Sequence, residues 1–529
     1  MTAEPQSDQP SGMPPAIGVL PDPGIPDPPW RRLAPGMLLV EPVRELIRFI
    51  PMLIVLIFAG RVGDTGPPWG LVATGAVIAL GISRYATTRY RISDALVEVR
   101  RGVFQRRHLT VPRDRIRTVD VSAHPLQRLL KLVKVEIGTG SSHHGSEAVA
   151  LDGLPASAAG QLRAELLHRA AATGDATPRA TSDESAEETV LARLDRRWIG
   201  FAPATLSGVI TGAVLISLAW RIAGEARIRP SEIGVVAQLL RSLRSSPLWL
   251  DVLLVAGVVM LAVTILSVAG YVLSFWGYTL TRHARGTLQV TRGLLTTRAT
   301  SIEERRLRGV DRFEPLLLRW FGGARLNAIA TGLRHRGSEN GSAVLVPPAP
   351  VAIVTAVEDA VLGNTRIGAA ALIPHGPAAR RRRYSRALGV TAVLIAVLLV
   401  LSVRVGWLVV PAWSSLLALP VAALLARDRY RGLGHALIDD HLVARSGSLA
   451  RHRSVLAVSG VIGVTLRQSY FQRRAGLISL TATTSAGAQR YVVPDLPDTI
   501  ALDLAERLVP QSGTIRVAVA HDAGRQHTA

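Results

Sequence analysis

Arg106, Arg107, Arg113 and Arg115 are the residues most able to do chemistry in this chain, as the densest part of a basic cluster that includes His108 and Arg117. Alternate residues of an extended segment share a face, so Arg113, Arg115 and Arg117 would point one way if that stretch is a strand. Beside an anionic bilayer leaflet such a face attracts phospholipid headgroups. The plainer reading is a solvated basic surface, and nothing in the spacing marks a converging headgroup pocket.

Other candidate residues point to little chemistry. His143 and His144 are adjacent in a Gly/Ser loop with no third ligand at a metal-site spacing. Glu303 and Glu304 stand next to Arg305 and Arg306, which reads as a solvated charge cluster rather than an acid/base pair. There is no P-loop, dinucleotide fingerprint, His-Glu-x-x-His or nucleophile elbow. The absence of cysteine removes disulfides, thiolate metal sites and cysteine nucleophiles. No catalytic, cofactor-binding or metal residue is expected, and the chain reads as a non-enzyme.

The elements that hold these residues come in a threefold rhythm. Apolar stretches run in pairs over about residues 46–59 and 69–82, 199–220 and 248–275, and 387–403 and 407–426. Each pair precedes a polar, strand-like segment that opens near a tyrosine, Tyr90, Tyr278 or Tyr430. A membrane helix needs roughly 20 largely uncharged residues, which the second arm of each later pair meets best. The spans carry few ionisable groups, with Asp251 near one end and Arg404 in a turn, so little at depth suggests transport. Gly208 and Gly212 form a weak helix-packing motif.

The 529 residues carry 61 basic against 39 acidic side chains, a formal charge of +22. Arginines such as Arg31, Arg32, Arg84, Arg193, Arg282, Arg380 and Arg427 flank the apolar pairs. That distribution fits a positive-inside membrane protein better than a nucleic-acid binder. Both termini and the polar domains are therefore expected in the cytoplasm, although Arg221, Arg227, Arg229, Arg241 and Arg244 in the middle turn go against the pattern.

Within the polar segments, short alternating strands, a short helical turn and a terminal helix recur. From Gly102, Gly293 and Gly447 to Pro125, Pro315 and Ser469 the spacing is 23, 22 and 22 residues, the agreement that repeats produce. The expected fold is an α+β membrane protein of six transmembrane helices in three hairpins. Each hairpin is followed by a small β-barrel or sandwich with a C-terminal helix. The divisions are a tail at 1–30, hairpins at 42–84, 196–276 and 384–426, and polar domains at 85–170, 277–362 and 427–510. A linker at 171–190 and a tail at 511–529 complete the chain.

The runs Tyr90-Arg91-Ile92-Ser93, Arg101-Gly102-Val103-Phe104, Val111 to Asp120 and His124-Pro125-Leu126-Gln127-Arg128-Leu129-Leu130 resemble the bacterial pleckstrin-homology-like (bPH2, DUF304) membrane proteins, in particular the YdbS/YdbT group. The second and third repeats keep the layout and lose much of the wording. The resemblance implies a pleckstrin-homology-like (PH-like) barrel with a capping helix for each polar domain, and it brings no catalytic residues. The expected function is a non-enzymatic scaffold in a bacterial cell membrane, serving envelope homeostasis or stress resistance. Its partners would be membrane proteins, a second copy or anionic inner-leaflet lipid, with no nucleic acid and no cofactor. The alternative is a transporter or export component gated by the PH-like domains.

Overall fold

The computed structural model describes residues 29–40, 149–158, 188–205, 247–331 without 285, and 343–509. It also describes 75–138 without 77, 80–81, 84, 94–95, 103–106, 113–115 and 117, together with Val43 and Ser217. The first apolar pair and the arm at 206–220 lie almost wholly outside the described residues, as do His143, His144, Gly208 and Gly212.

The first repeat opens with β1 (Arg31–Arg32), β2 (Arg89–Ile92), β3 (Leu96–Arg101) and β4 (Arg107–Pro112), which form an antiparallel sheet in that order. It continues with β5 (Thr118–Ala123), the short helix α1 (Pro125–Leu129), β6 (Leu132–Gly138) and β7 (Val149–Pro155). The second repeat begins before its apolar pair, with β8 (Thr189–Arg193) and a 3₁₀ segment (Arg196–Ala204). The long helix α2 (Leu248–Phe275) leads into β9 (Thr279–His283), β10 (Thr287–Arg292) and β11 (Thr297–Glu303). After these come β12 (Leu307–Pro315), α3 (Leu316–Trp320), β13 (Gly323–Ala330), β14 (Val344–Pro350) and the closing helix α4 (Val351–Leu362).

The third repeat follows the helix α5 (Gly376–Arg404) and a Gly406–Arg431 stretch whose last segment is α6 (Ala418–Arg431). Its first half is β15 (Gly434–Ile438), β16 (His441–Ser446) and β17 (Ala450–Ala457). Its second half is β18 (Val461–Arg467), α7 (Tyr470–Arg474), β19 (Leu477–Thr484), β20 (Arg490–Pro497) and α8 (Asp498–Leu508).

Three helical stretches among the described residues are long and apolar enough to cross a bilayer: Val252–Phe275, Gly376–Arg404 and Gly406–Arg431. Their large side chains face outward, with Trp249, Met260, Val400 and Val410 all exposed. A helix apolar all round needs a partner or lipid on every side.

Local chemistry repeats. The turn between the second and third strands of each first half carries Gly102, Gly293 or Gly447, with φ of 129°, 109° and 104°. A Cβ on Gly293 would lie 2.0 Å from the Thr296 carbonyl oxygen, and one on Gly447 would lie 2.0 Å from that of Ala450. Only glycine fits. The short helices also share a cap: His124 N–H donates to Gln127 Oε1 at 3.0 Å, and Ser469 and Gln472 form a reciprocal capping box.

The sheets do not respect the repeat boundaries. Where the sequence suggests three separate barrels, β11 of the second repeat pairs with β5 of the first, and β17 of the third pairs with β12 of the second. The resulting sheets run β7-β6-β5-β11-β10-β9-β8 and β14-β13-β12-β17-β16-β15, with β18-β19-β20 left as a three-stranded sheet. The second half of each repeat is thereby continued by the first half of the next. The core is continuous across the second junction, where Val310, Val443 and Val455 share one apolar cluster.

Each first half also gains an edge from residues ahead of its apolar pair: β1 on β2, β8 on β9, and Ile373 bridged to His435 of β15. Two other expectations change. Tyr430 sits in the last turn of α6, and the strand starts only at Gly434. The residues at 199–204 belong to the 3₁₀ segment, where Trp198, Ala202 and Ala204 are buried, so they are packed by the domain core before any span begins.

Candidate membrane-contact face

Of the arginines expected to contact lipid, Arg107 lies in β4, whereas Arg106, Arg113 and Arg115 fall outside the described residues. That patch therefore lies largely outside the described residues. Nearby basic groups of the same sheet are engaged within the chain: Arg91 pairs with Glu98, and Arg100 lies 4.1 Å from the centre of the Trp30 ring. Glu303, expected in solvent, is buried and bonded to Arg306 at 3.0 Å, and Arg306 donates to the Ile116 carbonyl of the first repeat. Glu303 thus supports a tie between repeats, while Glu304 pairs with Arg282 within the second repeat at 2.5 Å.

A different surface emerges from the short helices. A five-residue helix has room to bury one side chain, and here that residue is Gln127, Leu318 or Gln472. Its other apolar residues are driven outward. Leu129 is 81% exposed on α1, Trp320 71% and Phe321 68% at the end of α3, and Phe471 73% on α7 beside exposed Tyr470. Exposed large apolar residues on all three short helices, aromatic on α3 and α7, form a pattern rather than scattered surface apolarity.

Hydrogen bonds tie these tips to the ends of the apolar helices. Gly293 N–H donates to the Trp276 carbonyl at 2.9 Å, and Leu294 N–H to that of Leu273 at 3.0 Å, which clamps the β10–β11 turn on the end of α2. Arg128 of α1 donates to the Leu294 carbonyl at 2.6 Å. The second repeat copies this arrangement. Arg319 of α3 donates to Asp428 Oδ1 at 2.9 Å, Ser448 donates to Asp428 Oδ2 at 2.9 Å, and Leu316 N–H donates to the Leu449 carbonyl at 2.8 Å. Asp428 lies in α6, so α1 and α3 are each anchored at the end of the helix that enters the following repeat.

The last strand of each second half contacts the residues leading into its own repeat. Ala34 N–H donates to the Gly153 carbonyl at 3.2 Å, and the Tyr271 hydroxyl donates to the Pro348 carbonyl at 2.9 Å. In the third repeat the buried Asp495 holds Arg382 and Arg383 of α5 and accepts from Gln472 of α7 at 2.8 Å. A cleft of about 310 Å³ opens beside the end of α2, lined by Val121, Val133, Trp276, Arg292, Gly293 and Arg298 among others. Burial lowers the pKa of the Arg292 guanidinium to about 10, so it stays charged at neutral pH.

The exposed Leu, Trp, Phe and Tyr residues therefore sit at the ends of apolar helices, with Arg128, Arg319, Arg473 and Arg474 on the same short helices. Aromatic residues with arginine at a helix end have the composition of a membrane interface. The sequence held a signal for this face in the three aligned segments around Leu129, Trp320-Phe321 and Tyr470-Phe471. It became legible only once the helices proved too short to bury those residues.

Comparison with known proteins agrees with this architecture. Residues 45–170 and 384–511 match the bacterial PH domain model. The chain is 21% identical over 501 residues to the UPF0699 transmembrane protein YdbT of Bacillus subtilis (strain 168), an alignment covering 88% of this chain and 95% of that relative. No solved structure matches the chain. Its three long apolar helices and its two segments matched by the bacterial PH domain model mark a membrane protein that carries bacterial PH domains.

Proposed function

We propose that the chain is a non-enzymatic scaffold of the bacterial cell membrane, with six spans and with its PH-like repeats on the cytoplasmic side. The short-helix face lies along the bilayer surface. The seams carry the observation that best supports this reading, since strand pairing joins the repeats into one row while α1 and α3 are tied at the ends of apolar helices. A row held in that way offers fixed positions to protein partners and keeps them at high local concentration near the bilayer.

Lipid contact belongs to the rim. Leu129, Trp320, Phe321, Tyr470 and Phe471 enter the headgroup layer while arginines of the same helices face anionic phosphates. The alternative of a gated transporter gains no support from the three long apolar helices, whose sequences carry no Asp, Glu, Lys, Arg or His between Asp251 and Phe275, Ala387 and Val403, or Gly406 and Ala426.

The cysteine-free chain allows a direct test. Spin labels placed by Leu129→Cys, Phe321→Cys and Phe471→Cys in the full chain, reconstituted in anionic vesicles, are expected to be accessible to oxygen and shielded from a water-soluble nickel chelate. A label at Ser485, in the loop at the far end of β19, serves as the solvent reference. Rim labels as open to nickel as that reference would overturn the membrane-contact reading.

A further inference from the structure

Of the outer strands of the four sheets among the described residues, β18 and β4 are the two that stand in the seam positions, and they are complementary. In the two seams, the first strand of a second half (β5 or β12) receives the third strand of the following first half (β11 or β17). Among the described residues β18, the first strand of the third repeat's second half, pairs only with β19, and β4, the third strand of the first repeat's first half, pairs only with β3. We propose that β18 takes β4 of a second copy of this chain, joining copies head to tail through a third seam of the same register.

The register follows from the repeat. Counting back from the helix caps His124, Pro315 and Ser469, Asp120, Asp311 and Thr465 occupy one position. Counting forward from the turn glycines, Leu109, Thr300 and Ser454 occupy its counterpart. Asp120 faces Thr300 and Asp311 faces Ser454 in the known seams. Thr465 therefore faces Leu109, with Val464 opposite Thr110 and Leu466 opposite His108.

The condition of β18 fits a strand awaiting a neighbour. Val310 and Asp311 of β12 are 0% and 4% exposed under β17, whereas Thr465 is exposed and Ile462 is 67% exposed on β18. β18 has one charge in seven residues and no proline, and no described strand pairs with that edge, the profile that soluble edges normally avoid. A head-to-tail contact uses two different surfaces, so it propagates into rings or rows instead of stopping at a dimer. The membrane confines such growth to its plane.

One pair in this register is unfavourable: Arg107 stands opposite Arg467. The second seam contains such a pair, since Arg312 faces Arg453 there with Glu314 and Glu358 against Arg312. Without a known carboxylate at the third seam, repulsion weakens it at low salt. Arg467→Glu would convert that pair into an attraction.

The test uses the full chain in membranes, again exploiting the absence of cysteine. Thr465→Cys and Leu109→Cys in one chain, treated with a mild oxidant, are expected to give covalent dimers and larger species. Mixed single variants should give dimers only, and Arg467→Glu should raise the yield severalfold at low salt. The register partners Val121→Cys and Ala299→Cys report within the same chain that the existing seams are intact. Covalent dimers from Thr465→Cys alone at equal yield would mean two-fold pairing of β18 with itself and would overturn the proposal. So would the absence of interchain product while the internal reference link forms, or a lower yield with Arg467→Glu. These outcomes concern β18 alone and leave the reading of the rim to its own test.

Discussion

Arg312 and Arg453 stand directly opposite each other across the seam between the second and third repeats, both almost completely buried. Two cations in that position require a counter-charge, and Glu358, fully buried on α4, lies 3.5 Å from Arg312, with Glu314 at 3.3 Å. Burial raises the pKa of Glu358 and the arginines oppose that shift. Arg453 also donates to the Ile367 carbonyl at 2.6 Å. The cluster binds the closing helix of one repeat to the first half of the next.

Removing Glu358 leaves two buried guanidinium groups under-compensated. Glu358→Ala is expected to destabilise the seam by about 3–5 kcal/mol, the usual cost of breaking a buried ionic group on one side. Adding Arg453→Met should recover part of that loss. Thermal unfolding of the full chain in detergent checks both, and an unchanged midpoint in Glu358→Ala would rule out a neutralising role.

Across the first seam, the Thr300 hydroxyl donates to Asp120 Oδ1 at 3.1 Å. Burial pushes the Asp120 pKa up, and this hydrogen bond works against the shift. Thr300→Val should raise the Asp120 pKa further and cost about 1–3 kcal/mol by leaving a buried acceptor unsatisfied. Hydrogen exchange in β5 and β11 is the readout, with faster exchange expected in both strands together.

Acidification should loosen the junction between α5 and the third repeat. His375 is buried, its Nδ1 shares a 2.9 Å hydrogen bond with the Pro494 carbonyl, and its Nε2 has no hydrogen-bond partner. Burial, reinforced by His435 and Arg383 and opposed by the Pro494 bond and Asp495, lowers its pKa from 6.5 to about 4. The unfolded chain therefore binds the proton more readily between those values. Stability from this group is complete above about pH 6.5 and declines as pH falls toward 4, by about 1–2 kcal/mol at pH 5. Unfolding followed from pH 7 to 5 should show this slope, and His375→Gln should flatten it.

Gly293 holds the β10–β11 turn on the end of α2 with φ of 109°. Gly293→Ala should cost about 1–3 kcal/mol through backbone strain. It should also release Leu294 from the Leu273 carbonyl, which proteolysis at the turn would detect. A turn as resistant as that of the parent chain would show that the clamp is dispensable.

What the sequence determined by itself was local. Apolar length identified the helical cores at 248–275, 387–403 and 407–426 because the bilayer sets a fixed requirement on that length. Alternation and the turn glycines identified the strands because side-chain direction and positive φ are properties of a few neighbouring residues. The short capped helices were legible for the same reason, in the spacing from Gly102, Gly293 and Gly447 to their caps.

Tertiary structure alone decided which strands became neighbours. Nothing within 118–123 or 297–303 says that β5 will accept β11, because strand pairing joins segments more than a hundred residues apart. β8 was hidden for a related reason: a five-residue strand ahead of an apolar pair gains its partner only when the chain returns at β9. Phe321 and Phe471 carry no mark of exposure in their own residue types. It is the helix beneath each, too short to bury them and tied to an apolar helix, that places them on the surface.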